Sequence, residues 1–395
     1  MKTTESPGRP EIVRRATDLV DLIRKHAAWQ EENRVLHEEV LEGVADAGLL
    51  KLRVPARYGG HEADMGTVVE VISELSRGDG SLGWVFNAWM NGCWLVGLLP
   101  DEAQDEIFAD PKGVGIGLSV SPGGTARPTA GGVVLNGRWP FCSGVLHGPW
   151  FVHSAVLVGE DGGRSPVMVT VPASDLGVVD DWHTAGLRAT GSVTTVAEDL
   201  FVPDARVLPM VPLLAEGRHR SRLNADSPVW QAPFSPAASA VGSAPALGVA
   251  QAAWDVFFER LPERRITFTR YERQTDAPLT HHQVAEAAMK IDEAGFHVRR
   301  VARRVDAKTA AGESWTAAER AMSRLDMGAA TQLAKEAVDV LKTASGGSSI
   351  YADAPIQRIE RDVLAINLHG VLHPNTNMEL YGRVRCGLEP NTDLL

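Results

Sequence analysis

Apolar positions along the 395 residues fall into three successive patterns. From about Pro10 to Asp110 they recur at helical spacing, as in Val40, Leu41, Val44, Ala45 and Leu49, then in Val68, Val71, Ile72 and Leu75. The intervening Val54-Pro55-Ala56-Arg57-Tyr58-Gly59-Gly60 is a turn, since proline and the glycine pair both stop a helix. From about Gly113 to Pro209 the period changes to two. Val114, Ile116, Leu118 and Val120 alternate with Gly115, Gly117 and Ser119, and further β-branched runs follow at 133–135, 151–158, 167–171 and 193–202. A proline-rich stretch, 211–245, leads into four amphipathic stripes: Leu247 to Leu261, Val284 to Val305, Met322-Leu325-Ala329-Leu333-Ala337-Leu341, and Ile356 to Ile366. The order predicts a mainly α chain with a central antiparallel β-domain: helical unit 1–112, β-domain 113–210 and four-helix bundle 211–395.

Composition narrows this only a little. Hydrophobic residues at 44% and charged residues at 23% are those of a soluble globular protein, which excludes disorder across the chain. Lys+Arg 39 against Asp+Glu 50 leaves a net charge of -11, and argues against nucleic acid as a partner. Cys93, Cys142 and Cys386 are too scattered for a disulfide framework or a zinc site, which fits a reducing cytoplasm. The stretch Met1 to Pro10 is polar and gives way to a charged amphipathic segment, unlike an apolar signal segment. The most apolar run, Ser81 to Leu99, is interrupted by Asn87, Asn91 and three glycines, and reads as a buried helix, not a membrane span.

Several common chemistries are missing: there is no GxxxxGK[ST] loop, no GxGxxG opening a helix after a strand, and no GxSxG elbow. Adjacent His281 and His282 point differently on a helix and make a poor metal pair, so no metal is expected. What remains is four clusters. Gly115, Gly117, Ser119, Ser121, Gly123 and Gly124 form either a tight β-turn or a strand whose bare backbone admits a flat ligand. Trp139-Pro140-Phe141-Cys142-Ser143-Gly144 is a packed strand or an aromatic-ligand site; Trp182 to Ser192 is a loop with two turn glycines, Gly186 and Gly191. Asp362 and His369 lie two turns apart on one helix face, where His369 is either a structural hydrogen-bonding residue or a group acting on something held over the bundle.

Taken in order, VPARYGG (54–60), GDGSLGWV (78–85), GRWPFCSG (137–144), GLRATGS (186–192), FVPDARV (201–207) and RIERDVLAINLH (358–369) resemble the acyl-CoA dehydrogenase fold family. Within it the chain is most similar to the two-component, flavin-dependent monooxygenases. Many dehydrogenases of the family place a catalytic Glu eight positions after the Asp of the RD pair; here that position is Gly370, and 237–248 holds no acid either. The monooxygenase branch places a His seven positions after that Asp, where this chain has His369. The absent carboxylate removes the base for abstracting a proton α to a thioester.

The resemblance implies an oxygenase component that takes reduced FMN or FAD from a separate NAD(P)H:flavin reductase. With O2 it would form a C4a-hydroperoxyflavin and oxygenate an aromatic or heteroatom-containing small molecule. His369 would contact the peroxide or substrate, and Ser143 the flavin N5 region, with Cys142 its neighbouring competitor. Gly117, Ser119 and Ser121 would meet the ring edge, with Trp139 in the adjoining aromatic motif. Arg188, Thr190 and Ser192 belong to the loop that would hold the flavin. Gln283, with Arg264 and Arg273, would hold an adenine half. Gly346 and Gly347 would reach a neighbouring subunit's flavin, which makes a homotetramer. Asn91 stands where several relatives carry a His, and Trp84, Trp89, Trp94, Trp139 and Trp150 either line an apolar pocket or are core. The alternatives are a flavin-dependent acyl-CoA dehydrogenase-like desaturase and a non-catalytic binding protein on the same fold.

Overall fold

The computed structural model describes residues 8–121, 123–393 and 395; the polar stretch Met1 to Pro10 falls partly outside that range. Six helices come first: α1 Arg9–Asp18, α2 Val20–Asn33, α3 Glu38–Asp46, α4 Met65–Gly78, α5 Gly80–Val96 and α6 Asp101–Ile107. Aspartates start the two central ones by capping free amides. Asp64 accepts from Thr67 N at 2.6 Å, and Asp79 accepts from Ser81 N at 2.7 Å. Every residue of α5 is buried except Asn91, which is half-buried. No described helix is long and apolar enough to cross a membrane. The apolar surface of α5 is covered instead by α4 and the strands and helices that follow.

Eight strands follow: β1 Ile116–Ser119, β2 Gly124–Thr129, β3 Gly132–Trp139, β4 Trp150–Val158, β5 Arg164–Pro172, β6 Gly177–Val179, β7 Thr194–Pro203 and β8 Val207–Pro209. They pair in the order β6-β7-β3-β2-β4-β5-β8, with β1 beside β4. The sheet is antiparallel except where β1 and β2 run parallel to β4, at Ile116 against Trp150 and Thr125 against Val156. The cause is the connection 140–149. It carries the chain from the end of β3 back to the start of β4, so β4 runs in the direction of β1 and β2.

The helical C-terminal part comprises α7 Met210–Glu216, α8 Pro228–Gln231, α9 Phe234–Arg260, α10 Pro278–Ala310, α11 Ala317–Ala344, α12 Pro355–Asn367 and α13 Pro374–Arg385. The four expected stripes lie on α9 to α12. Two features differ from the sequence expectation. First, α9 starts at Phe234, inside the stretch taken as a proline-rich lead, and runs through Pro245. Small residues on either side let it lie close to α4, and packing there overrides the lost amide. Second, the buried face of the N-terminal half of α11 is Ala321, Arg324, Met327, Gly328 and Thr331, while Met322, Leu325 and Ala329 are only half-buried. Polar side chains on that inner face meet partners on α10 and α13: Asp326 pairs with Arg300, and Arg324 Nε donates to Asn377 Oδ1 at 2.9 Å.

The approach of α9 to α4 depends on Gly248, where a Cβ would run into the Ser73 carbonyl and Ser76 Cβ. Gly248→Val is expected to destabilise the fold by about 1–3 kcal/mol by forcing the helices apart. A denaturant-unfolding midpoint equal to wild type would show that the contact is not tight.

Candidate active site

A groove of about 720 Å³ lies between the β-domain, α5 and the ends of α9, α11 and α12. Each wall has a reason for being there. Helix α5 turns Trp84, Asn87, Ala88 and Asn91 toward it, positions that share one helical face. The edge of β1 and its exit supply Leu118, Ser119, Val120 and Ser121. The 140–149 connection supplies Phe141 and Ser143, and the loop after β6 supplies Trp182, Thr184, Ala185, Gly186 and Leu187. Helix α12 and its exit turn supply Leu364, Leu368, His369 and Gly370. Among the described residues no Asp or Glu lines the groove.

A continuous hydrogen-bonded chain runs behind this surface. Trp84 Nε1 donates to Ser143 Oγ at 3.1 Å, and Ser143 Oγ lies 2.7 Å from Ser192 Oγ. Ser192 Oγ lies 2.7 Å from Thr190 Oγ1, which donates to the Leu187 carbonyl at 2.8 Å. The Leu187 amide in turn donates to Asp362 Oδ1 at 2.6 Å. Leu187 has φ 52°, a left-handed conformation unusual for a side chain with a Cβ, and these bonds hold it there. The circuit closes through α12, since the His369 ring packs edge-on to Trp84 with centroids 5.0 Å apart.

The electrostatics are set by burial. His369 Nδ1 is buried without a hydrogen-bond partner, and desolvation, helped by the Arg324 charge, lowers the ring's pKa to about 4. His369 is therefore neutral at pH 7. It can donate or accept a hydrogen bond but carries no proton to spare as an imidazolium. Asp362 is pushed up to about 7, first by burial and then by the neighbouring Asp79 carboxyl, against the Leu187 amide and Arg358. Asp79 is raised by burial as well, although Gln30 Nε2 donates to it at 2.6 Å.

The expected site residues divide into those at the groove and those elsewhere. His369, Ser143, Asn91, Ser119, Ser121 and Ser192 line it, and Thr190 lies directly behind Ser192. Asn91 Nδ2 is held by the Asn87 carbonyl at 3.0 Å. Of the adjacent pair, Ser143 faces the groove, while Cys142 is buried in the β-core with Sγ against the Trp139 carbonyl and Thr195. Trp139 is not at the groove. It is fully buried, donates to the Ser154 carbonyl at 2.7 Å and stacks on His153. It also accounts for part of the glycine run, because a Cβ at Gly123 or Gly124 would strike its ring, just as one at Gly117 would strike Phe151. Those glycines admit packed aromatics, and the opening belongs to Ser119 and Ser121. Arg188 ties its loop to the Glu31 and Thr184 carbonyls. Gln283 on α10 does not line the groove, and neither does Gly346 or Gly347. Gly346 follows α11 and lies roughly 30 Å along that helix from Arg324, at 1.5 Å per residue.

Several lining residues had no role assigned from sequence, among them Phe141, Arg324 and Phe234. Phe141 is 59% exposed with φ 61° and meets Trp182 edge-on at 5.7 Å, forming an aromatic mouth. Arg324 was hidden by the misplaced stripe on α11. Phe234 lay in the stretch read as a lead. A flat, partly polar cofactor fits this surface. The volume suits such a ligand, Ser119 Oγ is buried without a partner, and aromatic faces flank the opening.

Comparison with known proteins agrees. The sequence profile of the acyl-CoA dehydrogenase N-terminal domain matches residues 12–109, and that of the C-terminal domain matches 240–374. The crystal structure of XiaF from Streptomyces sp., in complex with FADH2 and glycerol, is 34% identical, covers 98% of both chains and superposes with a TM-score of 0.91. HsaA, the oxygenase subunit of a flavin-dependent monooxygenase of Rhodococcus jostii, is 29% identical over 97% of this chain and 100% of its own. The oxygenase component of the FADH2-dependent resorcinol hydroxylase of Rhizobium sp. is 27% identical over 96% of this chain and 95% of its own. The chain belongs to the acyl-CoA dehydrogenase family, on the branch of flavin-dependent monooxygenase oxygenase components. It is accordingly a flavin-dependent oxidoreductase of the two-component type, working with reduced flavin.

The raised Asp362 pKa makes stability depend on pH with a definite sign. The folded state holds this proton up to about pH 7, whereas the unfolded chain releases it near 3.8. The contribution is full below the unfolded value and is lost as pH rises through 7. The melting temperature of wild type is expected to fall from pH 5 to pH 8 by more than that of Asp362→Asn. Parallel curves for the two proteins would contradict the assignment.

Proposed function

We propose that this oxygenase hydroxylates an aromatic small molecule, with His369, Ser143 and Ser119 in the reacting site. The carrying observation is that a neutral histidine and a glycine, His369-Gly370, stand at the end of α12 in a groove that no described carboxylate lines. Such a groove lacks a base strong enough to desaturate an acyl thioester, and it suits a reaction that must be shielded from water. Reduced flavin supplies, when bound, the electrons that activate O2. The chain's own groups do the rest. Leu118 to Ser121, Ser119 among them, hold the edge of the ring through backbone groups. Ser143 accepts from Trp84 and is held by the Ser192–Thr190 chain, which fixes its hydroxyl to hydrogen-bond the bound ring. His369 hydrogen-bonds an oxygen on the substrate side, and Leu118, Phe234, Leu364 and Leu368 exclude water.

The remaining parts of the reading concern assembly and supply. A separate NAD(P)H:flavin reductase delivers the cofactor in the cytoplasm. Exposed Leu279, Met289 and Phe296 on α10, with Ile350 and Tyr351 beside Gly346 and Gly347, are the surface of a homotetramer in which those glycines approach a neighbour's flavin. Asn91 takes a substrate contact through its free carbonyl oxygen.

His369→Ala is expected to bind reduced FAD nearly as wild type does, while product formed per oxygen consumed falls about tenfold or more. Because the ring is neutral above about pH 4, the defect should persist unchanged from pH 6 to pH 9. Coupling at the wild-type level, measured as product against oxygen uptake, would remove His369 from the reaction.

A further inference from the structure

Among the described residues two cations line the groove, Arg361 and Arg324, and they are not equivalent. Arg361 sits at the mouth and is neutralised by Glu31 at 2.5 Å. Arg324 is only 8% exposed, and among the described residues no carboxylate pairs with it. Its partners are neutral: Nε donates to Asn377 Oδ1 at 2.9 Å and Nη2 to the Val371 carbonyl at 3.1 Å. Nη1 donates to no described residue and is not among the enclosed atoms, so its two N–H groups stay open to the groove. A buried charge without a counter-charge is costly, and folds retain one where a ligand completes it. The carbonyl that Nη2 holds belongs to the turn Gly370 to Leu372, immediately after His369, and all of these residues line the same groove.

We propose that Arg324 anchors an acidic oxygen of the substrate, the hydroxyl of a phenol or a carboxylate, at the end of the groove beside His369. This deepens the oxygenase reading and rests on it for the word substrate. A guanidinium donates to such an oxygen through parallel N–H groups, fixes the ring's orientation, and favours ionisation of a phenol, which makes the ring more electron-rich. Arg324 is thus a specificity-determining residue. It selects aromatics that carry an acidic group over neutral polycycles of the same size.

The test is equilibrium dialysis, under anaerobic conditions, of the protein with reduced FAD against naphthol, naphthoate and methylnaphthalene, three probes of one shape. At least one acidic probe is expected to bind about tenfold or more tightly than methylnaphthalene. Naphthol as the preferred probe assigns a phenol, and naphthoate assigns a carboxylate. The preference is expected to vanish in Arg324→Met and to return in part in Arg324→Lys, with reduced-FAD affinity and thermal melting near wild type. Neither acidic probe exceeding methylnaphthalene in the wild type overturns the proposal, and that comparison needs no variant. Arg324→Met that keeps the preference but loses reduced FAD also overturns it, assigning the charge to the cofactor. Dialysis repeated without flavin separates the two readings, since a protein that binds no reduced FAD yet prefers acidic probes contradicts only the oxygenase assignment.

Discussion

One buried hydrogen bond, from the Leu187 amide to the Asp362 carboxyl, joins the two halves of the groove. Asp362 belongs to α12 of the bundle and Leu187 to a loop of the β-domain. Leu187 sits in a strained left-handed conformation, and its carbonyl collects the Thr190 hydroxyl and the Trp182 indole at 2.8 and 3.0 Å. Through Thr190 and Ser192 the same residue positions Ser143, and through Ser143 it positions Trp84 on α5. Without it the aromatic mouth, the hydroxyl chain and the histidine face would each be free to move relative to the others. The buried Asp362 carboxyl is expensive to ionise, and the neighbouring Asp79 carboxyl makes it more so.

The second constraint is the burial of α5. Its run of apolar residues is long enough that only a covering on all sides removes it from water, and the bundle and the β-domain provide that covering. The groove is what remains open where the covering stops, at Trp84, Asn87, Ala88 and Asn91. Its walls are largely apolar, its histidine is neutral, and the hydroxyls of Ser143, Ser192 and Thr190 are bonded to one another. Such a site favours a reaction whose charged or hydrated side paths must be suppressed.

Much of this was legible in the chain. Period-two runs marked β3, β4, β5 and β7, because β-branched residues dominate them, whereas β2 carries Arg127-Pro128-Thr129 and gave no such pattern. The bundle helices were legible wherever burial and hydropathy coincide. They parted company on α11, where the inner face carries Ser323 and Thr331, bonded to carbonyls one turn back, and Asp326 and Arg324, whose partners Arg300 and Asn377 only the fold supplies. Arg324 was lost for that reason. Trp139 and the glycines were misread for the opposite one: an aromatic beside small residues suggests a ligand site, yet here the ring fills the space the glycines leave. His369 and Ser143 lay in clusters whose reading the residues alone left open, and their roles came from the family motif, since neither hydroxyl networks nor ring contacts leave a local signature.

The central claim is that this groove protects the reaction of reduced flavin with oxygen. Rapid mixing of the anaerobic protein–reduced FAD complex with oxygenated buffer, in the presence of a bound acidic aromatic, tests it directly by flavin absorbance. The account predicts a transient spectrum unlike either reduced or oxidised flavin, which persists before oxidised flavin forms. Direct appearance of oxidised flavin at the rate of free reduced FAD would contradict it.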